Sequence, residues 1–134
     1  MTPESARFLD KAEKLLAEAE VMIGVGLNDA AGRTAYLAGF QAAQAYVFER
    51  LGRVLKTHNG LQSEFLRLTR DDDRIGSSAR SFLSRAYNLK AIADYETDPA
   101  AEITAERARN AVRGARAFVS EVAAAIEVRS SGDV

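Results

Sequence analysis

The chain has 134 residues, the length of one ordinary domain with a single core. Hydrophobic residues make up 47% and charged residues 28%, the balance of a globular protein and not of a disordered one. With 9 Gly and 2 Pro against 25 Ala, turn chemistry is scarce and helix formers abound, which argues against an all-β sandwich or a parallel α/β sheet.

Zero cysteines removes disulfide scaffolds, cysteine nucleophiles and thiolate zinc sites. A single histidine, His58, rules out a His-x-x-x-His metal pair within one chain, and the composition calls for no cofactor. The longest apolar run, Val21 to Leu27, is far short of a membrane span and contains two glycines. The start, Met1-Thr2-Pro3-Glu4-Ser5, lacks the basic and apolar regions of a secretory signal, so a cytoplasmic location is expected. The net charge of −1 conceals a division: residues 1–49 carry −3, residues 50–90 carry +5, and residues 91–134 carry −3. A near-neutral total disfavours binding nucleic acid over the whole surface, while the basic middle third leaves room for a local anion site.

Apolar spacing predicts five helices. The first runs from about Ser5 to Ile23, with a cap-like start at Thr2 and Pro3, and Gly24 and Gly26 end it. A longer second helix follows Asn28 or Asp29 as cap, with Leu37, Phe40, Ala43, Val47 and Leu51 on one stripe and Tyr36 and Tyr46 beside it. Gly39 and many alanines leave little bulk there and permit a close neighbour. Gly52 ends or interrupts this helix, and residues 53–60 read as a connector with an Asn-Gly turn signal. Leu61, Phe65 and Leu68 suggest a short third helix, followed by a solvated loop at Arg70-Asp71-Asp72-Asp73-Arg74. The fourth spans about Ser77 to Ala93, and Asp94 to Asp98 before Pro99 ends it. The fifth opens at Thr104 and carries apolar residues through Ile126. No internal repeat or linker appears. The expectation is one all-α domain over residues 1–129, an antiparallel bundle of four to five helices, with a frayed tail at residues 130–134.

The connector holds the most informative polar set. Arg53 and His58 stand in an Arg-x4-His spacing, with Lys56 and Thr57 adding a cation and a hydroxyl. Such a set suits a phosphodiester: Arg and Lys stabilise anionic charge, and His transfers protons near neutral pH. In metal-independent RNA cleavage the 2′-hydroxyl attacks the neighbouring phosphorus, so a base and a cation suffice. A plainer role, surface or turn capping, suits the same histidine. On the fourth helix Arg85 and Asn88 share a face and Asp94-Tyr95 closes the end, either as a binding edge or as helix termination and core cover. Arg33 and Tyr36 share a face of the second helix, placed either to pair with Asp94 or to line a groove. The three aspartates at 71–73 read as solvated, and Arg109, Arg113 and Arg116 share a face that suits RNA or an acidic partner.

At these residues the sequence resembles the HEPN family (higher eukaryotes and prokaryotes nucleotide-binding domain), most closely its small stand-alone prokaryotic branch. Gly32-Arg33-Thr34-Ala35-Tyr36-Leu37-Ala38-Gly39-Phe40-Gln41-Ala42-Ala43 is similar to that branch's Arg-x-Ala-Tyr-Tyr-x-x-Phe-x-Ala-Ala helix. Lys56-Thr57-His58-Asn59-Gly60 is similar to its Lys-Thr-His-x-Gly segment, and Ile92-Ala93-Asp94-Tyr95 to its Ala-Asp-Tyr helix end. The resemblance implies a helical bundle that commonly dimerises. It also implies a toxin component paired with a small nucleotidyltransferase antitoxin, an RNA or nucleotide ligand, and in active members metal-independent ribonuclease chemistry. Arg53 and His58 match the family's Arg-x4–6-His catalytic spacing, with Val54 where Asn, Asp or His usually follows the arginine. Lys56, Thr57, Arg33, Tyr36, Arg85, Asp94 and Tyr95 are then the expected substrate-binding residues, with no metal. A non-catalytic nucleotide- or partner-binding module beside a nucleotidyltransferase is the alternative.

Overall fold

A computed structural model describes residues 1–132 as five α-helices and one 3-10 turn, with no strand among the described residues. The helices are α1 (Pro3–Gly24), α2 (Asn28–Leu51), α3 (His58–Thr69), α4 (Ser77–Tyr95) and α5 (Ala105–Gly132), and the turn is Pro99–Ala101. The expected all-α bundle is what forms. Helix α2 is its axis, packing against each of the other four.

The central place of α2 follows from its small side chains. Alanines 31, 35, 38, 42, 43 and 45 are buried, and so are Tyr36, Tyr46 and Val47, so the helix is covered nearly all round. Of the stripe expected from Leu37, Phe40, Ala43, Val47 and Leu51, Ala43 and Val47 are buried and the other three are partly buried, while neighbours also approach along the alanine faces. At Gly39 an added Cβ would lie 2.2 Å from Cε2 of Phe82, a distance no real side chain tolerates. Phe82 stacks in turn on Phe118 of α5 at 4.7 Å, so the missing methyl lets α4 and α5 close over α2.

Helix ends follow local chemistry. Thr2 caps α1 by accepting from the Ser5 amide at 3.1 Å, and half-buried Glu49 accepts from the Thr2 amide and from the Ser5 hydroxyl. Neither Asn28 nor Asp29 caps α2; Leu27 stands at that position without a side-chain bond. Asp29 lies in the first helical turn, and its carboxylate accepts from the Ile103 amide at 2.8 Å, fastening the α4–α5 link to the start of α2. Thr104 opens α5 as expected, its hydroxyl accepting from the Arg107 amide at 3.1 Å. Helix α5 continues to Gly132, so residues 130–132 of the expected tail have helical backbone, and residues 133–134 lie outside the described residues.

The aspartate run is not a solvated loop throughout. The Asp72 side chain is 8% exposed and accepts from the Tyr46 hydroxyl at 2.6 Å, Arg50 Nη2 at 3.3 Å and Arg74 Nε at 2.8 Å. Arg74 also donates to the Ala125 carbonyl at 3.1 Å, so this one carboxylate joins α2, the α3–α4 link and α5. Only Asp71 and Asp73 are exposed. Sequence spacing cannot tell which of three consecutive aspartates turns inward. The choice depends on where Tyr46 and Arg50 lie one helix away.

Candidate functional site

The segment after α2 is held by a buried amide. Gln44 donates through Nε2 to the Leu55 carbonyl and accepts from the Leu55 amide at 3.2 Å, pairing both backbone groups of that residue. Thr57 follows as the cap of α3, its hydroxyl accepting from the Gly60 amide at 3.0 Å. His58 is therefore the first residue of α3 and not a connector residue, and its ring is fixed from two sides.

Tyr36 of α2 places its hydroxyl 2.9 Å from His58 Nδ1. Tyr87 of α4 stacks on the imidazole, ring centroids 4.0 Å apart and 19° from parallel, and Tyr36 meets Tyr87 edge-on at 5.4 Å. Burial pushes the Tyr36 phenol well above its ordinary value, with the neighbouring Tyr87 adding to the shift, so it stays a neutral phenol. Burial also lowers the His58 pKa from 6.5; the Lys90 charge assists, and a hydrogen bond with Gln62 opposes. His58 is accordingly neutral at pH 7. When Tyr36 donates to Nδ1, Nε2 carries the proton and can donate to an anion. When Nδ1 donates to the phenol, Nε2 presents a lone pair. In both cases Nε2 is the ring nitrogen that the Tyr36 bond leaves over.

A charged set adjoins the rings. Lys90 lies 5.8 Å from the Tyr87 centroid and pairs with Asp94 at 2.5 Å, while Arg33 donates to the same carboxylate at 2.8 Å. Hydrogen bonding with Asp94 raises the Lys90 pKa, and the same bond, aided by Arg33, lowers that of Asp94, so Lys90 and Asp94 are both charged at neutral pH. Two cations share one carboxylate, which leaves net positive charge beside a neutral imidazole.

The structure thus brings together Arg33, Tyr36, His58 and Asp94 of the residues expected from sequence. Others fall elsewhere. Arg53 is exposed and pairs with Glu64 at 3.6 Å, while His58 bonds to Tyr36. Lys56 is exposed, and the Thr57 hydroxyl is committed to its cap. Tyr95 is 78% exposed. Arg85 folds back along its own helix onto Ser81 and the Ser78 carbonyl at 2.9 Å and borders a groove between α4 and α5. Tyr87 and Lys90 were not anticipated. Lys90 carried a signal, four residues before Asp94 on one helix, but Tyr87 carried none, because its stacking depends on how α3 and α4 meet. Among the described residues no group of three or more His, Asp or Glu side chains could hold a metal ion, and no helix is long and apolar enough to cross a membrane.

Two comparisons bear on these residues. The family model of the HEPN domain matches residues 5–125, reaching into every helix and covering all of the His58 cluster. A UPF0332 protein of Archaeoglobus fulgidus is 35% identical over 114 residues, covering 76% of this chain and 90% of that protein. A helical bundle with Tyr36 bonded to His58 and Arg33 bonded to Asp94, matched by that model over nearly its whole length, belongs to the HEPN family.

Proposed function

We propose that this HEPN protein binds RNA or a nucleotide at the face formed by His58, Tyr87 and Lys90, as the toxin-like component of a pair with a small nucleotidyltransferase. One observation carries the reading: a neutral imidazole stacked on a half-open tyrosine ring, 37% exposed, with Lys90 and Arg33 alongside. Aromatic faces take bases by stacking, and the cations with Nε2–H take phosphate oxygens. The partner nucleotidyltransferase follows from the resemblance to the stand-alone branch.

Metal-independent ribonuclease activity is the second reading, favoured by the depressed His58 pKa, which keeps a free base available at neutral pH. Because Arg53 pairs with Glu64 and not with His58, cleavage would draw its cation from Lys90, or from Arg53 of a second copy in a homodimer. Inducing wild type, Arg53→Ala and His58→Ala in cells, and following growth and RNA integrity, separates the two. RNA loss with wild type and not with folded His58→Ala supports cleavage. Intact RNA in all three, with RNA binding lost only on His58→Ala, supports binding alone. RNA binding by purified His58→Ala equal to wild type refutes the proposed site.

A further inference from the structure

A second groove lies between α1, the C-terminal half of α2 and the segment that leads to His58. Phe8, Gln41, Phe48 and Val54 line it, Arg7 and Lys11 stand at its rim, and its volume is about 410 Å³. Glu4 is the one carboxylate among its lining residues. The Phe8 and Phe48 rings lie 6.2 Å apart and are tilted, and Val54 is 47% exposed. Half-buried aromatic rings and the exposed Val54, bordered by the exposed cations Arg7 and Lys11, offer the stacking and phosphate contacts that a base-and-phosphate chain needs.

The groove is tied to the His58 face in two ways. Val54 and His58 sit on one segment, anchored between them by Gln44 at Leu55, and four residues of extended chain span at most about 14 Å. On α2, Phe40 meets Tyr36 at 6.0 Å between ring centroids, and the next residue, Gln41, lines the groove. The two sites thus lie within two turns of each other along α2. Arg53 and Lys56 add exposed positive charge along the connecting segment. We infer that the groove holds bases flanking the nucleotide at His58, so that the ligand is a single-stranded RNA several nucleotides long and not a lone nucleotide. This rests on the binding reading above and extends it to a second subsite.

Fluorescence anisotropy with 5′-fluorescein oligouridylates, a dinucleotide and an octanucleotide, tests it on the full chain. Wild type should bind the octanucleotide at least about tenfold more tightly, the gain expected from stacking one further base. The exposed pair Arg7→Glu with Lys11→Glu should remove that gain, flatten the salt dependence and leave dinucleotide affinity unchanged. Phe48→Leu, which keeps an apolar side chain in place, should remove most of it too. His58→Ala should weaken both ligands. Equal affinity for the two lengths, both still dependent on His58, would overturn this inference and leave the binding reading standing. A length gain that survives in both groove variants would overturn it as well. Failure of wild type to bind either oligonucleotide would overturn the inference and the reading together.

Discussion

Asp72→Asn tests whether charge or mere packing holds the three-way junction at Asp72. Burial alone would raise this carboxyl, but hydrogen bonds from Arg74 and the Tyr46 hydroxyl outweigh it and hold the pKa at about 2, against an ordinary 3.8. At about 1.4 kcal/mol per pKa unit, that separation corresponds to about 2 kcal/mol of folding stability at neutral pH. The folded value is the lower one, so the contribution is complete above about pH 5 and disappears as the pH falls through the folded value; near pH 3 about half is gone. The substitution also removes the ion pair of Asp72 with Arg50, whose side chain is 7% exposed, so the loss at pH 7 should be about 2 kcal/mol. Urea unfolding of both proteins, followed by circular dichroism from about pH 7 to about pH 3, gives the difference directly. The gap should narrow by about 1 kcal/mol over that range. A gap of constant size, or none at pH 7, would refute the electrostatic account and leave Asp72 as a space-filling group.

Three further outcomes follow from contacts elsewhere in the bundle. Gly39→Ala replaces a residue of poor helix propensity with the best one, which in isolation would stabilise α2 by up to about 1 kcal/mol. The added Cβ would sit 2.2 Å from Phe82, so thermal melting should instead show a net loss of about 1–3 kcal/mol, and a raised Tm would contradict the close approach of α4. The chain has one histidine, so its imidazole proton resonance needs no assignment. Its NMR titration should fall below 6.5 in wild type and move upward in Lys90→Met; a midpoint at or above 6.5 in wild type would contradict a buried imidazole beside Lys90. The same shift carries a stability consequence of fixed sign. The unfolded chain takes up the His58 proton more readily, so this contribution is complete above about pH 6.5 and declines as the pH falls below it.

Helix formation was legible in the sequence because it rests on local terms. Alanine content, Thr2 before Pro3, Thr104 as a cap and the glycines at 24, 26 and 52 set five helices and most of their ends. Periodicity also placed Arg33 with Tyr36 on one face and Asp94 at a helix end, and the separate motifs pointed to one family. Which of these residues meet is a matter of packing. Arg53 and His58 are neighbours in sequence, yet the cap at Thr57 begins a helix between them, and they turn to different partners, Glu64 and Tyr36. Tyr87 became the ring beside His58 because α4 packs against α2 where Gly39 admits Phe82. Asp72 turned inward, and its two neighbours did not, because Tyr46 and Arg50 wait on another helix. Local propensity depends on the few residues on either side of a position, whereas the contacts of His58 with Tyr36 and Tyr87, and of Arg33 with Asp94, join residues from separate helices, and only the closed bundle decides those pairs.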